Sequence, residues 1–81
     1  MRVPFELVTR RGCHLCDEME AVLLRVLPRH GMTLSYRDVD AEPDLRARYS
    51  DVVPVLLRDG VAVAKIRLSE SRLERLVARR R

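Results

Sequence analysis

The run Phe5-Glu6-Leu7-Val8-Thr9-Arg10-Arg11-Gly12-Cys13-His14-Leu15-Cys16 passes from one structural period to another. Its first part alternates, with Phe5 and Leu7 on one face and Val8 on the other. Residues 3–9 are therefore predicted to form a strand. Arg10-Arg11-Gly12 is a loop, and Cys13 begins a helical pattern that runs to about Leu27. There Met19, Val22, Leu23 and Val26 make one apolar stripe, with Asp17, Glu18, Glu20 and Arg25 on the other side. A thiol pair thus sits at the start of a helix, just past a strand. That setting suits a disulfide that forms and breaks. The first helical turn leaves backbone N–H groups without intrahelical partners, and these favour negative charge. Thiol pKa values in such motifs fall from about 8.5 to between about 3.5 and 7.5. Cys13 is expected to be the exposed, attacking sulfur. Cys16, one turn further in, is expected to be buried and to resolve the mixed disulfide.

The elements beyond follow from period and punctuation. Pro28 and Gly31 are predicted to close the helix. Residues 32–39 alternate as a second strand, so the first three elements form a βαβ unit with parallel strands. Asp40-Ala41-Glu42-Pro43-Asp44 is a polar break, with Asp40 as a cap and Pro43 in the first turn of a short helix reaching Tyr49. Val52-Val53-Pro54-Val55-Leu56-Leu57 reads as a central strand with a proline at its start. Asp59-Gly60 makes a hairpin to a strand over residues 61–66. Ser71 and Glu74 form a capping box for a last helix, with Ser69 a competing start. Leu73, Leu76 and Val77 give that helix its buried face.

Eighty-one residues with two cysteines suit one domain over residues 1–81 with a thin core, and not a disulfide-stapled secreted scaffold. Met1-Arg2-Val3-Pro4-Phe5-Glu6 leads into no long apolar stretch. No segment approaches the roughly 20 apolar residues of a membrane span. A cytoplasmic protein without a membrane partner is expected, in a compartment that keeps thiols reduced. The net charge of +4 is local, because residues 72–81 hold five arginines against one glutamate. No aromatic residue interleaves with Arg72, Arg75 and Arg79, so they read as a solvated helix face and not as a nucleic-acid site. Tyr36 and Tyr49 are assigned to packing.

Three features together resemble the glutaredoxin branch of the thioredoxin superfamily, especially its short glutaredoxin-like members. They are the strand-to-helix Cys13-His14-Leu15-Cys16, the Val53-Pro54-Val55 run, and the element order βαβ-αββα. The resemblance covers residues 3–78. It implies an α/β thioredoxin-like fold: a four-stranded mixed sheet with helices on both faces. It implies a cis peptide bond before Pro54, and Val53 backbone groups that pair with an extended substrate or with glutathione. Arg10 matches a basic position common in glutaredoxins, where it steadies a thiolate or meets a substrate carboxylate. The chain departs from glutathione-using members in one stretch. They carry a Gly-Gly pair and an acidic residue before the last helix, and this chain has Ala64-Lys65-Ile66-Arg67-Leu68-Ser69-Glu70. Val53 stands where threonine is common, and His14-Leu15 where Pro-Tyr is usual. Glutathione is therefore expected as a weak co-substrate at most.

The resulting expectation is a thiol–disulfide oxidoreductase acting on protein or small-molecule disulfides, with Cys13 and Cys16 catalytic and no resident cofactor. Arg10, His14, Val53 and Pro54 are expected to bind substrate. A reductase or glutathione would supply electrons. Its rivals are a non-catalytic thioredoxin-like binding module and an iron–sulfur or metal-binding protein. Intrachain zinc would need four ligands, and only His14 and His30 could supplement the two cysteines. An imidazolium at His14 would favour a nearby thiolate, whereas Asp17 and Glu18 would oppose one.

Overall fold

The computed structural model describes residues 5–78. Residues 3 and 4 of the predicted first strand, and Arg79–Arg81 of the basic tail, lie outside that range. Strand β1 (Phe5–Thr9) leads to helix α1 (His14–Val26), β2 (Leu34–Asp38), α2 (Pro43–Tyr49), β3 (Val55–Arg58), β4 (Val61–Lys65) and α3 (Glu70–Ala78). The sheet order is β2-β1-β3-β4. The β1–β2 pair is parallel, while β1–β3 and β3–β4 are antiparallel. This is the mixed four-stranded sheet that the family resemblance implies.

Alternation along β1 splits the core in two, because successive strand side chains point to opposite faces. Phe5 and Leu7 pack with Met19, Leu23, Val26 and Leu27 of the first helical segment and with Leu73 and Val77 of α3. Val8 faces the other way, with Val39, Leu45, Tyr49, Val55 and Leu57 beneath α2. Helices therefore cover both faces. Ion pairs bolt α3 to the end of α1, with Arg25 and Arg29 on Glu70 and with Arg29 and His30 on Glu74. The Arg58 guanidinium stacks 5.1 Å from the Phe5 ring centroid and donates to the Leu76 carbonyl in the last turn of α3.

Several boundaries move, each because a backbone group is used elsewhere. The helical path does not stop at Pro28. It tightens into a 3-10 turn over Leu27–His30 with Pro28 in its first turn, where a missing N–H costs little. Gly31, at φ 68°, then closes it, and the Met32 N–H returns to the Leu27 carbonyl at 3.0 Å. Met32 is thus unable to begin β2, which starts at Leu34. Strand β3 starts at Val55 and not at Val52, because the Val52 N–H bonds the Tyr49 carbonyl and Pro54 has no N–H to give. Asp40 does not cap α2. Glu42 holds the N-cap position without a side-chain capping bond, its carboxylate accepting from Arg37, and Asp40 is taken by Arg10. At α3 the competing start wins: Ser69 Oγ accepts the Arg72 N–H at 3.1 Å, and Glu74 turns to Arg29 and His30.

The β3–β4 hairpin turns on Asp59 and Gly60, at φ 52° and 83°, the left-handed pair that a two-residue turn requires. Strand β4 ends one residue earlier than predicted. The Ile66 N–H still bonds the Pro54 carbonyl in register (2.7 Å), but Pro54 has no N–H to return, and the Arg67 N–H folds back to the Lys65 carbonyl (2.7 Å). Ile66 is left at the centre of a γ-turn with φ 68°. A β-branched residue in that region is strained by on the order of 1–2 kcal/mol.

Core packing sets the first expectation. Leu23 is fully buried between α1 and the sheet. Leu23→Ala is expected to lower unfolding free energy by about 2–5 kcal/mol, out of a total near 5–15 kcal/mol for a folded protein. A urea titration followed by far-ultraviolet circular dichroism measures it.

Candidate active site

The two cysteines meet because β1 ends where α1 begins. Gly12 supplies a left-handed residue (φ 77°) that turns the chain from strand to helix. The Cys13 N–H bonds the Arg10 carbonyl at 3.3 Å. Cys13 is the N-cap of α1, in extended conformation, and its Sγ accepts the Cys16 N–H at 3.1 Å. Cys13 and Cys16 form a disulfide with their Cα atoms 5.2 Å apart. Cys16 is 1% exposed and sits in the apolar interior, whereas Cys13 is half-buried and opens to solvent. A thiolate on Cys13 would keep the Cys16 N–H and the field of a 13-residue helix. The asymmetry needed for attack by one sulfur and resolution by the other is therefore in place.

The proline run lies alongside. The Val53–Pro54 bond is cis. In the β1–β3 register Val8 faces Val55, so continuing the antiparallel pair carries Val53 and Pro54 beside the Thr9–Arg10 end of β1. That is the loop that carries Cys13. Pro54 is buried and Val53 half-buried. The Val53 N–H and C=O have no hydrogen-bond partner among the described residues.

Arg10 and His14 point to other partners. The Arg10 guanidinium grips Asp40 with Nε and Nη2 at 2.8 and 2.9 Å, and it reaches the carbonyl and hydroxyl of Ser50 at 3.1 and 2.9 Å. Four of its five donors are used, and the group ties the loop before Cys13 to the end of α2. The His14 ring is 85% exposed and lies 3.0 Å from Glu18, one turn along the helix. Tyr36, on the outer strand β2, donates to Glu20 of α1 at 2.5 Å, and this bond pushes its phenol up to about 12. No cluster of three or more His, Cys, Asp or Glu side chains suited to a metal occurs among the described residues.

Sequence comparison agrees with this geometry. The model of the glutaredoxin-like domain (DUF836) matches residues 5–78. The chain belongs to that glutaredoxin-like family. Similar proteins include the uncharacterized proteins Mb0520 of Mycobacterium bovis and Rv0508 of Mycobacterium tuberculosis. Each is 34% identical over 83 residues, a match covering 96% of this chain and 86% of theirs. A solved structure of similar fold is the solution structure of target protein XcR50 from X. campestris. It has a TM-score of 0.74, 23% identity, and coverage of 93% of this chain and 92% of that one. The fold is thioredoxin-like, and the residues matched by the family model include Cys13 and Cys16. No helix among the described residues is long and apolar enough to cross a membrane.

The Arg10–Asp40–Ser50 cluster has no local signature in the sequence, and no spacing rule would find it across 30 and 40 residues. It gives the site loop a pH dependence. Arg10 holds the Asp40 carboxyl below its ordinary value, chiefly through the hydrogen bonds. A carboxylate whose folded-state pKa is depressed stabilises the protein above its unfolded value, about 3.9. That stabilisation is lost as pH falls through the lower folded-state value. In urea midpoints measured from neutral pH to below 3, Asp40→Asn is expected to flatten the acid limb and to bring its midpoint closer to that of the wild type at the lowest pH.

Proposed function

We propose that this protein is a thiol–disulfide oxidoreductase. The observation that carries the reading is the bonded Cys13–Cys16 pair at the N-terminus of α1, with one sulfur open to solvent and the other buried. In the reductive direction the Cys13 thiolate attacks one sulfur of a substrate disulfide. A Cys13–substrate disulfide forms and the second substrate sulfur leaves as a thiolate. The Cys16 thiol loses its proton to solvent and attacks Cys13 Sγ. The first substrate sulfur leaves, and Cys13–Cys16 is oxidised by two electrons. The thiolates released take protons from water. A thiol or dithiol donor, glutathione or a reductase, then returns the pair to the reduced form. In the cytoplasm, where thiols are kept reduced, this donor would hold the pair ready for attack.

The free backbone groups of Val53 support a substrate bound as an added strand beside the sulfurs. Pro54 next to them offers no competing donor. Arg10 acts in this reading by fixing the loop through Asp40 and Ser50, and its one remaining donor is left for a substrate. His14, inside the motif, is paired with Glu18 at the helix surface.

Two measurements test the proposal. In the reduced protein, iodoacetamide is expected to modify Cys13 well before Cys16, with an apparent pKa below the roughly 8.5 of free cysteine. Cys13→Ser is expected to abolish insulin-disulfide reduction, while Cys16→Ser accumulates a substrate mixed disulfide. Alkylation like that of free cysteine, with no turnover on any disulfide, would instead identify a binding module that retains the motif. Run with glutathione and its reductase, and separately with thioredoxin reductase, turnover is expected to be weak or absent in the first arm. A fast glutathione-coupled rate would overturn that donor assignment.

A further inference from the structure

A groove opens between the first turns of α1 and the γ-turn that follows β4. Leu15, inside the cysteine motif, and Val22 line one side, while Ile66 forms the other wall. Met19 and Leu68, 2% and 8% exposed, make its floor. Its volume is about 280 Å³, at or below the roughly 300–1,000 Å³ of small-molecule sites. That is room for a side chain more than for a cofactor. Both walls of the groove adjoin residues of the sulfur site. Leu15 directly precedes Cys16, and the Ile66 N–H bonds the carbonyl of Pro54 at 2.7 Å. Ile66 holds its wall position in a left-handed conformation, and strain of this kind is concentrated at binding sites.

The rim is charged unevenly. Glu18 is met by His14 at 3.0 Å. Arg67 has no ion-pair partner among the described residues. An occupant with an apolar side chain and a nearby carboxylate would complement both floor and rim.

We propose that the groove is the specificity pocket for a polypeptide disulfide: it takes an apolar side chain next to the reacting cysteine, with an acidic residue of the same peptide on Arg67. The proposal rests on the oxidoreductase reading above and adds the substrate class. An extended peptide paired to the Val53 backbone turns alternate side chains to one face, and in such complexes the main chain supplies affinity and pockets supply choice. Glutathione carries no apolar side chain to fill the floor.

Peptide disulfides test it, with Leu or Ser flanking the cysteine and Asp or Lys beyond. The Leu/Asp peptide is expected to exceed the Ser/Asp and Leu/Lys peptides by about tenfold in kcat/KM. Arg67→Glu is expected to invert the Asp-over-Lys preference, and Ile66→Gly to shrink the Leu-over-Ser preference. Equal rates for Leu and Ser peptides, an unchanged charge preference in Arg67→Glu, or glutathione disulfide outpacing every peptide would each overturn the proposal. A readout without redox chemistry separates the two readings. The oxidised protein is titrated with the Leu/Asp peptide carrying Ser for Cys, and methyl resonances are followed. Shifts confined to Leu15, Val22, Ile66 and Leu68 support the pocket even if no disulfide, hydroxyethyl disulfide included, is turned over. Absence of those shifts overturns it even if exchange is fast.

Discussion

Cys13 Sγ accepting the backbone N–H of Cys16 is a short contact with wide consequences. It makes a cysteine the cap of α1, a role usually filled by a side-chain oxygen. A sulfur there sits in the field of the aligned peptide dipoles and beside unpaired donors. The same geometry puts Cys16 one turn along, where it enters the apolar interior with Met19 and Leu23. Capping, a local field of the sign that favours an anion, and unequal exposure of the two sulfurs therefore come from one local arrangement. It holds only while β1 delivers the chain to the top of the sheet and α1 is pinned by its apolar stripe.

The rest of the fold secures that delivery. Interior strands β1 and β3 run side by side, so the cysteine loop and the Val53–Pro54 segment emerge at the same end. On one face α3 clamps the far end of α1 through Glu70 and Glu74. On the other, α2 presents Ser50 to Arg10, and Asp40, in the turn before α2, holds the same guanidinium. These polar ties are surface-exposed and individually modest. They act on orientation more than on stability: those of Arg10 join the cysteine loop to the end of α2, and those of Glu70 and Glu74 join the far end of α1 to α3.

Legibility in the sequence followed the range of the interaction. The motif, the α1 stripe, the β1 alternation and the Asp59-Gly60 hairpin were readable because each depends on neighbours within a few residues. The errors came where a backbone donor found a distant or unexpected acceptor. Met32 closed a helix and did not begin a strand, and the Arg67 N–H turned back to Lys65 and ended β4. Asp40 was read as a cap from its position before Pro43. Its actual partner, Arg10, is 30 residues away, and a bidentate ion pair outcompetes a single capping bond. The cis bond at Pro54 was expected from family resemblance alone, since local sequence favours trans at most X-Pro bonds.

What the amino-acid order determined by itself was the chemistry: two thiols, one helical turn apart, at a helix start. Periodicity and capping are local, and they survive being read one segment at a time. Only the tertiary structure decided what surrounds the sulfurs. It spent Arg10 on Asp40 and Ser50, left the Val53 backbone open, and forced Ile66 into a left-handed wall facing Leu15. Those outcomes depend on packing between segments far apart in the chain, where many residues compete for the same donors and the winner is set by the geometry of the whole sheet.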